Sequence, residues 1–195
     1  MKVSADVFLA LVHYPVYNKH RQVIASALTT IDLHDLARLA ATYGLAGFYL
    51  TTPLSDQLAL AETMLDHWRR GWGARYNASR TRALNLVRLV RDIEEARMDI
   101  RAAGGREPLL VGTSAVNRPV NASPNGSRQV SFTGMRKYLG EERPLLILLG
   151  TAWGLTDQVL ESCDLKLEPV KGPTEYNHLS VRSAAGIILD RLLGR

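Results

Sequence analysis

Five apolar runs of strand length recur along the chain, and segments with helical spacing follow most of them. The runs are VFLALV (7–12), AGFYL (46–50), LNLVRLV (84–90), PLLVG (108–112) and PLLILLG (144–150). Continuous apolar runs are typical of strands that are buried on both faces in a parallel sheet, with helices as the crossover connections. The pattern therefore predicts an α/β fold with a mostly parallel sheet and helices on both faces.

Four helices are predicted between and after these runs. The first ends at Gly44, since a glycine accepts the left-handed conformation that often closes a helix. Asp92 opens the third and is followed by Glu95 at the third helical position, as in a capping box. The predicted spans are 32–44, 55–70, 92–105 and 179–193, and the last has Val181, Ala184, Ala185, Ile188 and Leu192 on its apolar face.

Two segments lie outside this alternation. Residues 117–129 (NRPVNASPNGSRQ) are rich in Asn, Ser, Pro and Gly, which predicts an exposed loop, either a lid that substrate orders or a plain insertion. Residues 166–178 (KLEPVKGPTEYNH) begin as a short strand and continue as a loop interrupted by Pro and Gly. Neither segment resembles an interdomain linker.

Composition narrows the class of protein. A chain of 195 residues, 46% hydrophobic and 22% charged, fits one compact domain spanning 1–195. No apolar run reaches the roughly 20 residues of a membrane span, and the first residues do not match a signal peptide, so we expect a cytoplasmic protein with no membrane partner. The single cysteine, Cys163, lacks the Cys or His neighbours of a zinc site, so we expect a buried or half-buried free thiol and no metal.

The positive charge is concentrated in one segment. The net charge is +5, and residues 67–91 contain seven arginines, no carboxylate, and the aromatic residues Trp68, Trp72 and Tyr76. Guanidinium groups fit phosphate oxygens and aromatic faces stack on unpaired bases, which favours an RNA-binding surface. The alternative is a solvated basic face with the aromatic side chains packed beneath it. The arginines assigned to RNA binding are Arg69, Arg70, Arg75 and Arg80.

Three predicted strand ends carry residues suited to a nucleotide-like ligand. In 145–164 a buried strand ends at Gly150, with Gly154 following before a helix, and these glycines allow backbone to approach a ligand closely. The segment matches neither a dinucleotide fingerprint nor a phosphate-binding P-loop. Its structural alternative is a tight turn with Trp153 as a packing residue. Comparable segments are 108–116 and 175–184, where Ser180 is placed to cap the last helix and Arg182 either forms an ion pair or meets phosphate.

Several of these segments together resemble a known family. LLGTAWGL, followed by a short strand, by EPVKGPTEYNHLSVRSA and by a terminal helix, is similar to the two C-terminal motifs of the SPOUT superfamily of methyltransferases. The segment LVHYPVYNKHRQVIASALTTIDLHDLARLAATYGLAGFYL resembles a group of bacterial RNA methyltransferases related to, and sometimes fused with, the tRNA guanine-N1 methyltransferase. The resemblance covers nearly the whole chain.

The resemblance implies a C-terminal deep trefoil knot that holds S-adenosylmethionine, a homodimer, and an RNA acceptor such as tRNA or rRNA. It also implies that three loops hold the cofactor, mostly through backbone groups and apolar walls. The residues carried over are Gly112, Thr113 and Ser114 in the first loop, Leu149, Gly150, Thr151, Trp153, Gly154 and Leu155 in the second, and Val170, Leu179, Ser180 and Ala184 in the last.

The catalytic side chains are less defined by the resemblance. Arg38, six residues before Gly44, occupies the position of a functional arginine in related enzymes, although Asp32 and His34 stand where relatives carry Asn and Gly. Arg38 therefore either holds substrate phosphate or joins an ion pair. Methyl transfer needs an aligned nucleophile and, for some acceptors, a base. The candidates for that base or for orienting substrate are Glu175, His178, Asp35 and His34, and the alternative function is a cofactor- or RNA-binding module without catalysis.

Overall fold

The computed structural model describes residues 6–116 and 128–194. The predicted loop at 117–129 lies almost entirely outside the described residues. Nine strands are found in the described part: β1 (Val7–Val12), β2 (Val16–Tyr17), β3 (Val23–Ile24), β4 (Gly47–Thr51), β5 (Val87–Val90), β6 (Leu109–Gly112), β7 (Arg128–Val130), β8 (Leu145–Gly150) and β9 (Leu165–Leu167). The helices found there are α1 (Thr30–Thr42), α2 (Ser55–Arg69), α3 (Trp72–Tyr76), α4 (Ala78–Leu84), α5 (Ile93–Gly104), α6 (Phe132–Tyr138), α7 (Asp157–Ser162) and α8 (Val181–Leu193).

Seven strands form one sheet in the order β5-β4-β1-β8-β6-β9-β7. Every neighbouring pair in it is parallel, as the apolar runs predicted. The central strands β1 and β8 pair along their whole length, from Val7 opposite Leu145 to Val12 opposite Gly150. The short antiparallel pair of β2 and β3 forms a separate ribbon. All carboxyl ends of the large sheet therefore meet at one edge.

Alternate residues of each central strand enter two separate cores, because successive side chains of a strand point to opposite faces. On one face, Leu9 and Ile147 pack in a cluster with residues of α1, α2, α4, α6 and α8. On the other face, Ala10 and Leu148 pack with α5 and α7. The α/β prediction with helices on both faces is confirmed.

The predicted helix boundaries hold where a capping residue marks them. Asp92 caps α5 by accepting from the backbone N–H of Glu95, and Ser180 caps α8 by accepting from that of Ser183. Gly44 adopts φ +67° just after α1. The prediction of a strand from Leu84 is wrong, since Leu84 ends α4 and the strand begins at Val87.

The only cysteine of the sequence, Cys163, directly follows α7 and is buried. The Cys163 thiol donates to the carbonyl oxygen of Val159 at 3.2 Å, and burial raises the pKa of Cys163 to about 12. Because the thiolate is the reactive form, we expect no alkylation of the native protein by iodoacetamide at about pH 8. Mass spectrometry should show full modification only after unfolding in guanidinium. Rapid modification of the folded protein would contradict this expectation.

None of the helices in the part of the chain that the structure describes combines the length and apolar character needed to cross a bilayer.

Candidate functional site

The carboxyl edge of the sheet gathers the three loops that the sequence singled out. These loops follow β6 (113–116), β8 (151–156) and β9 (168–180). Since β8, β6 and β9 are adjacent and parallel, their ends lie side by side. This edge is where open α/β sheets bind nucleotide-like ligands.

A tight turn leaves β8 at Gly150, the last residue of the strand. Only glycine fits at this position. A Cβ at Gly150 would lie 2.8 Å from the carbonyl carbon of Gly154 and even closer to the backbone nitrogen of Leu155. Ala152 and Gly154 both have positive φ, +51° and +93°. The backbone N–H of Gly154 closes the turn by donating to the carbonyl oxygen of Thr151 at 2.8 Å. The turn therefore brings the backbone of Gly150 into close contact with that of Gly154 and Leu155 at the end of a central strand.

The β2–β3 ribbon holds this turn in place. The Tyr17 N–H donates to the Gly154 carbonyl at 2.9 Å, and the Trp153 N–H donates to the Tyr17 carbonyl at 2.9 Å. The hydroxyl of Thr151 donates to the Val12 carbonyl at 3.0 Å and lies 2.5 Å from that of Ser26. The sequence analysis missed the supporting roles of Tyr17 and Ser26, because only the fold brings them to a loop some 130 residues later in the chain.

The loop after β6 is joined to the last loop. Asn177 donates through its side-chain amide to the Ala115 carbonyl at 2.7 Å. The Thr113 hydroxyl donates to the Leu148 carbonyl at 2.8 Å, which fixes the start of the first loop against β8. A shallow cleft beside these contacts is lined by residues of the first and last loops, including Gly112, Ser114 and Pro169.

The exposed residues of these loops include apolar side chains as well as polar ones such as Glu175 and His178. The alternative of a tight turn is present, but Trp153 is 62% exposed and does not pack within the described part of this chain, and Val116 and Leu179 are also exposed. Apolar walls beside accessible backbone groups fit the adenosyl part of S-adenosylmethionine. The other carried-over residues support the loops from beneath or beside: Leu149 and Leu155 are buried, and Val170 and Ala184 are half-buried.

Arg182, the second residue of α8, joins the start of that helix to α1. Its guanidinium lies 3.2 Å from a carboxylate oxygen of Asp32 and donates to one of Asp35 at 3.2 Å. Asp32 in turn accepts from the hydroxyl of Thr29 at 2.6 Å. This arrangement, which we call the Arg182 clamp, answers the question left by the sequence: Arg182 forms ion pairs. With both carboxylates at the guanidinium, a positioning role is favoured over the predicted phosphate contact, which stays a prediction.

The three candidate catalytic residues are all exposed but lie on two different parts of the chain. Glu175 and His178 belong to the last loop, where the His178 ring stands edge-on to Tyr176 with 5.3 Å between ring centroids. Arg38 lies on the exposed side of α1, one turn after His34. Burial, with Arg80 and Arg38 nearby, lowers the pKa of His34. Within residues 6–116 and 128–194, Arg38 has no carboxylate in ion-pair contact, so it remains available to an anionic ligand.

The arginine-rich segment divides into engaged and accessible groups. Arg69 donates to the carbonyl oxygens of Leu84 and Val87, the first at 2.8 Å, and burial lowers its pKa. Arg70 pairs with Asp66 and Glu62. Both engagements argue against the expected phosphate contacts of these two arginines. The guanidinium of Arg80 lies 4.6 Å above the Trp68 ring, whereas Arg75 is exposed.

His13, directly after β1, is fully buried, and no hydrogen-bond partner of its ring nitrogens is found among the described residues. Burial lowers the pKa of His13. Its neutral form therefore contributes stability that is present above the unfolded pKa and is lost as pH falls through the folded pKa. Between about pH 8 and pH 5, we expect His13→Gln to lose less unfolding free energy than the wild type. Urea unfolding at each pH measures this, and equal losses would contradict it.

Among the residues that the structure describes, no group of three or more His, Cys, Asp or Glu side chains is placed to hold a metal ion. A parallel sheet with a glycine turn at its carboxyl edge is typical of proteins that bind a nucleotide-like cofactor. Residues 6–194 match the family described as SAM-dependent RNA methyltransferase. The chain belongs to this family, which confirms the resemblance and S-adenosylmethionine as the cofactor.

Two bacterial relatives, each named tRNA (guanine-N(1)-)-methyltransferase, are similar over 97% of the chain. The protein from Nitratidesulfovibrio vulgaris is 47% identical and that from Oleidesulfovibrio alaskensis 45% identical. The chain spans only 42% of the length of either relative. The fold is also similar to the SpoU methyltransferase AviRb from Streptomyces viridochromogenes in complex with AdoMet, with a TM-score of 0.53 and 18% identity over 99% of this chain and 61% of that one.

Proposed function

We propose that this chain transfers the methyl group of S-adenosylmethionine to tRNA. The observation that carries the proposal is the glycine turn at Gly150, held by the β2–β3 ribbon beside two further loops at the carboxyl edge. The family supports RNA as the acceptor, and the names of the two relatives favour tRNA. The matched part is less than half of each relative, so the methylated atom is not assigned from their name.

In this proposal the cofactor is held by the residues carried over from the three loops. The turn at 150–155 supplies backbone groups, Trp153 and Leu179 supply exposed apolar surface, and Ser114 lines the cleft beside the first loop. When bound, the sulfonium of S-adenosylmethionine supplies an electrophilic methyl group. The protein's own task is to align an RNA nucleophile with it and to exclude water.

Three exposed side chains are proposed to act on the RNA. Arg38 binds a phosphate next to the acceptor nucleotide, because its guanidinium has no carboxylate partner among the described residues. His178 or Glu175 takes the proton where the acceptor carries one, since both lie in the loop that ends at Ser180. Arg75 and Arg80 are proposed to extend the phosphate contacts.

The same proposal includes a trefoil knot and a homodimer. The bond from Asn177 to Ala115 places the segment after β9 beside the loop after β6, and α8 then packs on α1 and α6, as a chain that returns across the edge would. The exposed apolar surface of Trp153, Val116 and Leu179 supports a partner copy at this edge. Light scattering should show a dimer, and a stable monomer that binds cofactor fully would count against it. We also propose that the protein acts in the cytoplasm, because its proposed substrate is tRNA.

The test is transfer of label from S-adenosylmethionine to RNA from a strain that lacks this protein. Fractionated tRNA and rRNA are assayed separately, and mass spectrometry identifies the modified nucleoside. Label in tRNA supports the proposal, and label only in rRNA would replace tRNA as the acceptor. Cofactor binding by calorimetry without transfer to any RNA would favour the non-catalytic module instead.

A further inference from the structure

Helix α3 exposes two aromatic side chains that the cofactor site does not use. Trp72 and Tyr76 are 65% and 71% exposed, and their rings stack with 4.6 Å between centroids and 19° between planes. The backbone of α3 lies on Trp68, since a Cβ at Gly73 would be 2.6 Å from the Trp68 ring. The helix that carries the stacked pair is therefore anchored on Trp68, and both rings are largely exposed to solvent.

Two exposed cations on α3 and the neighbouring α4 pair with no carboxylate of the described residues. Arg75 lies on α3 and Arg82 on α4, and both are exposed. Neither has a carboxylate in ion-pair contact within residues 6–116 and 128–194, in contrast to Arg70 and Arg88. Since residues 67–91 contain no carboxylate, this surface is positive and fits an anionic partner.

The pair is connected to the methyl-transfer site through α1. Trp68 meets His34 of α1 edge-on, with 5.5 Å between ring centroids. One residue after His34, Asp35 holds Arg182, two residues from Ser180 in the last loop. Helix α4 packs on α1, the helix that carries Arg38, and α3 packs on α4, so an elongated ligand on α3 and α4 would lie next to that helix.

We propose that Trp72, Arg75, Tyr76 and Arg82 form a docking platform for unpaired nucleotides of the RNA substrate. Bases stack on the outer faces of the aromatic pair, and the two guanidinium groups hold the flanking phosphates. Stacking accepts every base, so the platform binds single-stranded RNA with little sequence preference. The proposal rests on the proposed function only for the identity of the RNA. A second copy of this chain or another protein would need carboxylates to match the charge, which makes RNA the better fit.

The test measures binding of the full chain to a fluorescent oligouridine of about 12 nucleotides by anisotropy. W72A/Y76A should weaken binding about tenfold or more, and R75Q/R82Q should lower the slope of log affinity against log salt by about 1.4. M98A and R101Q are the controls, since they change an exposed apolar residue and an exposed arginine on α5. Both should bind oligouridine as the wild type does. All variants should bind S-adenosylmethionine as the wild type does.

Wild-type oligouridine affinity in both platform variants would overturn the proposal. An equal loss for an RNA duplex of the same length would overturn its single-stranded specificity, and a change of oligomeric state in light scattering would identify an interface between copies instead. The polar substitutions of R75Q/R82Q keep the test valid should W72A/Y76A unfold. Lost oligouridine binding without any methyl transfer supports the platform while the proposed function fails. Transfer to tRNA at an unchanged KM in both variants would support the proposed function while the platform fails.

Discussion

Gly150→Ala should lower the affinity for S-adenosylmethionine at least about tenfold and the stability of the fold by about 2 kcal/mol. The added Cβ would overlap the backbone of Gly154 and Leu155, which has no flexible side-chain end to move aside. The turn would have to open, and the opening would strain its bonds to Tyr17 of the β2–β3 ribbon. Calorimetry measures the affinity, and urea unfolding measures the stability.

Gly172→Ala is the matched control for this change. It adds the same methyl group in the last loop, where a Cβ would meet nothing within 4 Å. Gly154→Ala is a second comparison, since φ +93° is strained for any residue with a Cβ and the substitution should cost about 1–3 kcal/mol. Unchanged cofactor affinity in Gly150→Ala would remove the turn from the cofactor site.

The sheet was predictable from the sequence because its strands are continuous apolar runs. The predicted bounds of VFLALV match β1 to the residue, and those of PLLVG and PLLILLG match β6 and β8 within one. The run that starts at Leu84 gave a wrong strand start because the last turn of α4 also buries apolar side chains. The periodicity of so short a run does not distinguish a strand from a buried helix. Residues 132–138 were not predicted as helical, since seven residues are too few for a clear helical pattern.

The glycines of the candidate site were predictable from the sequence. The contacts between side chains from distant parts of the chain were not. Gly150 and Gly154 stand out because a turn at a strand end restricts the residue type. The ion pairs of Arg182 join residues almost 150 positions apart, and no local pattern distinguishes a paired arginine from an accessible one. The same limit explains Arg69, whose engagement by two backbone carbonyls depends on how α4 meets β5.

The Arg182 clamp is expected to carry the second large effect. Asp32 is the most buried member, with a side chain 16% exposed, and Arg182 is 35% exposed. Arg182→Ala leaves this carboxylate without its cation, which should cost about 2 kcal/mol of stability. It also releases the start of α8 from α1, so the affinity for S-adenosylmethionine should fall by about tenfold.

A double-mutant cycle separates the clamp from the general loss of an arginine. Asp32→Asn alone and combined with Arg182→Ala should give a coupling energy of about 1–2 kcal/mol in urea unfolding, because each single change already removes the shared contact. Arg106→Ala is the control, since its pair with Glu142 is exposed on both sides and contributes little. Additive effects of the two changes, or an Arg182→Ala variant that unfolds and binds cofactor like Arg106→Ala, would mean that the last loop is positioned without the clamp. Coupling in unfolding together with weakened cofactor binding would instead show that α1 holds the last loop in its binding conformation.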